Sequence, residues 1–200
     1  MAGHEIVLEE SVNEAIKEIC MGYFREGKAD AFALLQDLMD LEGVPMHYPY
    51  HHYIVPMVLL TTVRTMEKSE EEILSQDLDT AIERGQNILG GFCGFYGNCG
   101  AAVGVGVFYS IYAGIVPTSR KGWAACNKAT ADALLKISEI EGPRCCKRNS
   151  FLALYSAADT IKERFGIEIA CPEAVVCKYH DRNKECKRKA CPYFKEEETC

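Results

Sequence analysis

The fold depends on an uncharged stretch in the middle of the chain, residues 91–116, which reads GFCGFYGNCGAAVGVGVFYSIYAGIV. No Asp, Glu, Lys or Arg occurs between Arg84 and Arg120. A helix that is apolar on every side is buried, and Gly100 and Gly104 have the spacing that lets a neighbouring helix approach closely. We therefore predict a glycine-rich central helix that other helices surround.

The uncharged stretch is also long enough to be compared with a membrane span, which needs about 20 apolar residues. Its helical part, residues 101–116, is shorter than this, and Asn87, Cys93 and Asn98 interrupt the remainder. We therefore predict a core helix and no membrane span.

Helical patterns occur on both sides of this stretch, and no strand alternation or hairpin signal is present. Ser11 and Ser69 each precede a Glu by three residues, which predicts capping boxes. The sequence predicts an all-α fold, with a compact helical domain over residues 1–168 and a cysteine-rich tail over 169–200 packed on it. The helical patterns cover residues 11–24, 28–43, 51–66, 69–90, 123–142 and 150–166.

Composition restricts the class of protein. The net charge of −7 argues against a nucleic-acid surface, which needs excess Lys and Arg. The first ten residues lack the basic start and apolar run of a signal peptide, so we expect a cytoplasmic protein whose thiols stay reduced. Eleven cysteines then indicate metal binding or catalysis more than disulfides.

The tail carries the densest cysteine pattern, CPEAVVCKYHDRNKECKRKACPYF. Four thiolates in a polar segment with few apolar residues suit a tetrahedral metal site that staples the tail. Zinc and an iron–sulfur cluster use the same ligands, and the two Cys-Pro pairs favour a cluster of the 4Fe–4S type. His180 is an alternative ligand and Cys200 a spare one. The predicted ligands are Cys171, Cys177, Cys186 and Cys191.

A second cysteine pair, Cys93 and Cys99, lies in the glycine-rich segment GFCGFYGNCG, residues 91–100. Glycine lets backbone N–H groups approach a ligand closely, and such groups hydrogen-bond cluster sulfides. We predict that both cysteines are metal ligands, with a tight turn around two buried thiols as the alternative.

Three histidines cluster in MHYPYHHY, residues 46–53. If a helix begins near residue 51, its dipole keeps His51 and His52 neutral and able to ligate a metal or to exchange a proton. We predict His51 and His52 as catalytic residues near His47. An aromatic surface loop is the alternative.

Two adjacent cysteines, Cys145 and Cys146, occur in PRCCKRNS. Asn149 or Ser150 is expected to cap a helix that begins at Phe151. A helix start and flanking cations lower the pKa of a thiol, so we predict reactive thiolates that are either ligands or nucleophiles. A disulfide between neighbours needs a strained ring, and the ligand role is the one we favour.

Cationic residues around these thiols indicate an anionic substrate. Arg144 and Arg148 flank the cysteine pair, and we expect them to bind a small phosphate or carboxylate. Asn127 is the third predicted substrate-binding residue. A solvent-exposed basic turn is the alternative.

Taken together, these motifs resemble an uncharacterised prokaryotic family of cysteine-rich domains, over roughly residues 40 to 195. Members of that family occur alone or joined to methyltransferase-like or radical-SAM-like domains, so the resemblance implies a shared fold and a partner of that kind but no reaction. The residues that carry it are His51-His52, GFCGFYGNCGAAVGVGVFYSI, the segment Trp123 to Asn127, GPRCCKRNS and the tail ending in CPYF.

The sequence therefore predicts a metal-binding protein with two thiol-rich centres, one in the tail and one that joins Cys93, Cys99, Cys145 and Cys146. If it is an enzyme, we expect iron–sulfur-dependent redox or sulfur-transfer chemistry. The alternative is a zinc-stapled accessory module for a methyltransferase or radical-SAM enzyme.

Overall fold

The computed structural model describes residues 8–195, which fold into eight α-helices without a β-strand. The predicted all-α class is confirmed. Residues 1–7 and 196–200, including Cys200, lie outside the described part. The helices are α1 (Glu10–Arg25), α2 (Ala31–Asp40), α3 (Tyr50–Glu67), α4 (Glu71–Gln86), α5 (Phe92–Phe95), α6 (Gly100–Tyr112), α7 (Trp123–Ser138) and α8 (Cys146–Phe165), followed by a short 3₁₀ turn at Arg188–Ala190.

Two helix starts differ from the sequence prediction. Helix α1 begins at Glu10 and α4 at Glu71, and neither start has a hydrogen bond from a capping side chain. The capping boxes predicted at Ser11 and Ser69 are therefore wrong. The acidic residues in both first turns interact favourably with the helix dipole and stabilise these starts without a cap.

Helix α3 is buried along most of its length, including every residue from Tyr50 to Val63. Pro56 lies inside this helix, beyond its first turn. Proline has no N–H to give to the carbonyl of His52, four residues earlier.

Helix α6 crosses α3 at the position of Pro56. A Cβ on Gly104 would lie 2.8 Å from the His52 carbonyl oxygen and 2.8 Å from Pro56 Cδ. Only glycine allows this approach, because any side chain would separate the two helices. Helix α6 also packs on α4, α7 and α8. No helix of residues 8–195 combines the length and the hydropathy that crossing a bilayer requires.

The tail after α8 has little regular structure but joins the core through its aromatic residues. Tyr179 and Tyr193 are buried. The Tyr179 hydroxyl donates to the Gln36 carbonyl at 3.4 Å, and the Tyr193 ring packs edge-on against Phe151 at 5.6 Å. These contacts hold the tail across α2 and the start of α8.

We expect the replacement Gly104→Ala to lower the free energy of unfolding by about 1–3 kcal/mol, because the added methyl group overpacks the contact between α3 and α6. Urea denaturation measures the change. The matched control is Gly22→Ala in α1, where a Cβ meets no atom within 4 Å. That variant should be as stable as the parent or more stable, and equal losses in both variants would contradict the proposed close contact.

Two candidate thiol centres

The start of helix α8 determines where the adjacent cysteines point. The helix begins at Cys146, and Cys145 is its N-cap residue, whose sulfur accepts a hydrogen bond from the Arg148 N–H at 3.5 Å. The predicted start at Phe151, with Asn149 as the cap, is therefore wrong. A sulfur takes the capping position that usually holds an oxygen. Consecutive side chains at a helix start point in different directions, so the two thiols face different sites.

The first site joins Cys145 to three cysteines of the tail. Four thiols line one small cavity, which also contacts Arg148 and Asn183. We name these thiols the tail cluster: Cys145, Cys177, Cys186 and Cys191. The cavity volume is about 20 Å³, enough for a single ion or water molecule.

Backbone N–H groups point at the sulfurs of the tail cluster. The Tyr179 N–H donates to Cys177 Sγ at 3.3 Å, and the Arg188 N–H donates to Cys186 Sγ at 3.4 Å. The N–H donor follows its cysteine by two residues in both cases. Such hydrogen bonds favour the negative form of a sulfur, but burial outweighs the Tyr179 N–H and raises the pKa of Cys177 in the metal-free chain.

Cys171 lies outside the tail cluster, although the sequence pattern included it. It is exposed, and its thiol contacts the Ile169 carbonyl at 3.7 Å. His180, the alternative ligand, does line the tail cavity. Its Nδ1 lies 2.9 Å from Asp181 Oδ1.

The second site is an open cleft of about 1210 Å³ between the start of α3, the α5 loop, α7 and the start of α8. Three thiols line it, and we name Cys93, Cys99 and Cys146 the cleft cluster. The Asn149 amide donates to Cys99 Sγ at 3.4 Å. Cys145, which the sequence assigned to this group, belongs to the tail cluster instead.

His52 presents a neutral ring to the cleft. Its Nδ1 donates to the Ile88 carbonyl at 2.9 Å, so Nε2 carries the free lone pair. A Cβ on Gly100 would lie 2.5 Å from this Nε2, so glycine makes room for the ring. His51 is buried beside the cleft without lining it, and its Nδ1 bonds the Tyr48 carbonyl at 2.8 Å. Burial lowers the pKa of both histidines and so favours neutral rings, a cause different from the helix dipole on which the prediction rested.

Asn183 connects the cleft with the tail. Its Oδ1 accepts from Nε2 of His47, a cleft residue, at 3.1 Å, and its Nδ2 donates to Cys145 Sγ at 3.8 Å. Sequence patterns do not predict this role, because a single Asn in a polar tail is indistinguishable from a surface residue.

The pKa values of the paired cysteines are shifted in the opposite direction from the prediction. Burial raises the pKa of Cys145, and burial together with neighbouring thiols raises that of Cys146 to about 12. The predicted lowering is therefore wrong for the metal-free chain, since desolvation outweighs the attraction of Arg144 and Arg148.

Two cations are buried between the two sites. Lys147 donates to the Met39 carbonyl at 2.8 Å, and Arg148 donates to Asn149 Oδ1 and the Pro143 carbonyl. Neither forms an ion pair with a carboxylate in residues 8–195. Burial lowers the pKa of Lys147 to about 8, and the Asp40 carboxylate interacts with its charge. Buried charges are normally paired, so further negative charge would stabilise these two cations.

The predicted substrate-binding residues occupy different places. Arg144 is exposed and lines the cleft, whereas Arg148 is buried and lines both cavities. Asn127 does not line the cleft, and its amide donates to the Trp123 carbonyl at 2.9 Å.

All ten cysteines of the described chain are free thiols. Within residues 8–195, no three His, Cys, Asp or Glu side chains are arranged to hold a metal ion. In this conformation the thiols of each cluster therefore share a cavity without converging on one point.

Helical architecture and two thiol groups around one helix start define an all-α, cysteine-rich protein. The chain belongs to DUF5714, a family of unknown function, which it matches over residues 16–194. The matched range begins at residue 16, whereas the resemblance described above begins near residue 40, so the match also includes most of α1. No curated protein matches the chain, and no solved structure does.

Thiol reactivity of the metal-free protein should follow burial. With limiting N-ethylmaleimide at neutral pH, we expect Cys171 to be labelled at least about tenfold faster than Cys146 or Cys20, because burial raises the pKa of both latter thiols to about 12. Peptide mass spectrometry measures the rates. Labelling in urea is the control and should equalise them. Cys146 reacting as fast as Cys171 would contradict the described burial.

Proposed function

We propose that this chain is a metal–thiolate protein in which the tail cluster holds a structural metal and the cleft cluster holds an iron–sulfur cluster. The observation that carries the proposal is the division of seven thiols into two groups by two consecutive cysteines. Sulfur ligands select zinc and iron–sulfur centres over other biological metals.

The tail cluster has the properties of a structural site. Its four thiols are the number of ligands that a closed, tetrahedral structural metal site would need. Since Cys145 caps α8 and its partners belong to the tail, a metal here would fasten the tail to the helical domain. The N–H groups directed at Cys177 and Cys186 support thiolate ligands.

The cleft cluster has the properties of a reactive site. Only three thiols of the described chain line the cleft, so a cluster bound there would keep one iron open to a substrate. When bound, it would supply redox or sulfur-transfer chemistry. The chain would provide His52, whose Nε2 lone pair is fixed by the Ile88 hydrogen bond, to accept a proton, and Arg144 to attract an anionic substrate.

Charge balance supports metal binding at both sites. A metal bound by four thiolates is anionic when the ion is divalent, and this charge would lie beside Arg148 and Lys147. Without it, two buried cations would have only neutral hydrogen-bond partners. The cost of burying an unpaired charge is several kcal/mol, roughly the size of a large mutational effect.

A second candidate is a zinc-stapled accessory module without chemistry of its own. The tail cavity, about 20 Å³, has space for a single zinc ion, so this candidate shares the tail site with the first and differs from it in the cleft. In this case the cleft thiols remain reduced, and a methyltransferase or radical-SAM partner provides the reaction.

Anaerobic purification followed by metal and sulfide analysis tests the proposal. We expect about four irons and four sulfides per chain from the cleft cluster, with visible absorption, plus one further metal from the tail. Zinc alone, without sulfide, would overturn the first candidate and support the second. Protein free of both metals after anaerobic expression with added iron and zinc would overturn both.

Serine variants assign each metal to its site. Cys146→Ser should remove the sulfide and leave the tail metal, whereas Cys145→Ser should remove the tail metal and destabilise the fold. Cys171→Ser is the matched control and should lose neither, because its thiol lies outside both clusters. Loss of the same metal from Cys145→Ser and Cys146→Ser would contradict the division into two centres.

A further inference from the structure

Helix α7 has two faces with different surroundings. One face packs on α6, where Ala129 and Ala133 are buried and the Cys126 thiol donates to the Gly106 carbonyl at 3.3 Å. The other face lines the cleft and carries Leu135. Leu135 is exposed, whereas the neighbouring Leu134 also packs against the core.

Two large apolar side chains that line the cleft are exposed to solvent. Leu135 is 66% exposed, and Phe95, from the α5 loop, is 75% exposed. Large apolar side chains gathered at an open cleft are typical of a ligand site, because water contact with them is unfavourable.

The exposed cation Arg144 lines the same cleft. Arg144 makes no hydrogen bond or ion pair within residues 8–195 and is exposed. Arg148 also lines the cleft, and Glu141 is the single carboxylate residue of the described chain that does so. With His47 and His52 neutral at ordinary pH, the formal charge of the cleft is positive.

We propose that the cleft binds an organic acid with an extended apolar body, whose carboxylate pairs with Arg144 while its body lies along Leu135 and Phe95. One accessible guanidinium matches one carboxylate in a bidentate pair. The inference names the substrate class for the proposed cleft centre. It rests on that proposed function for the reaction, but the acid would bind with or without the metal.

Titration calorimetry with simple acids tests this inference on the full chain, with the metal content measured in each sample. Along the series hexanoate, octanoate and decanoate, we expect each added methylene group that enters the cleft to tighten binding about fourfold. Decanoate should bind more tightly than decanol or decylamine. Equal affinity for decanoate and decanol would overturn the role of Arg144, and tighter binding of decyl phosphate would overturn the carboxylate assignment.

Two variants and two matched controls locate the binding. Arg144→Gln should weaken decanoate binding by about tenfold or more while leaving decanol unchanged, since a charged hydrogen bond is lost. Leu135→Gln should weaken both ligands by about threefold to tenfold. Arg120→Gln and Met66→Gln alter an exposed cation and an exposed apolar residue outside the cleft and should change neither.

The outcomes separate this inference from the proposed function. A protein that carries metal but binds no acid would overturn the inference alone. A protein that binds acids through Arg144 but never holds metal would overturn the proposed function alone. Acid binding that both control variants weaken as much as Arg144→Gln does would place the ligand outside the cleft and overturn the inference.

Discussion

The first turn of helix α8 is the constraint on which both thiol sites depend. Each residue of an α-helix is rotated by about 100° from the one before it, so neighbours in sequence cannot share a direction. Cys145, in the capping position, therefore faces the tail, and Cys146 faces the cleft. Because Cys145 and Cys146 are consecutive in the chain, a shift of this helix start by one residue would displace one thiol from each site.

The buried charges that follow the two cysteines are a second constraint on the first turn of α8. Lys147 and Arg148 are buried directly after the cysteines, between the tail and the cleft. Their hydrogen-bond partners are carbonyl and amide oxygens, which carry no charge, and the Asp40 carboxylate interacts with Lys147 alone. Thiolates on both sides would supply further negative charge. The same burial raises the thiol pKa values in the metal-free chain, so the proposed metal binding would be coupled to thiol ionisation and charge compensation.

Helical periodicity predicted the class of fold, because apolar spacing reports directly on which face is buried. The sequence also predicted neutral histidines, but from the helix dipole, whereas burial is what lowers the pKa of His51 and His52 in the structure. The sequence did not predict which cysteines belong to each thiol cluster. Sequence spacing grouped Cys171 with the tail cysteines, whereas the tail reaches back to Cys145 through contacts such as Tyr179 with Gln36. The sequence does not predict Cys145 as the N-cap residue of α8, because Asn149 and Ser150 have the stronger preference for that position.

The chain order of the two sites sets the order in which they can form during synthesis. Every residue that lines the cleft precedes the first cysteine of the tail cluster that follows α8. Chains fold from the N-terminal side as they emerge from the ribosome. The cleft can therefore assemble while Cys145 is still without its three partners, and the sulfur at the start of α8 stays accessible until the tail arrives to cover it.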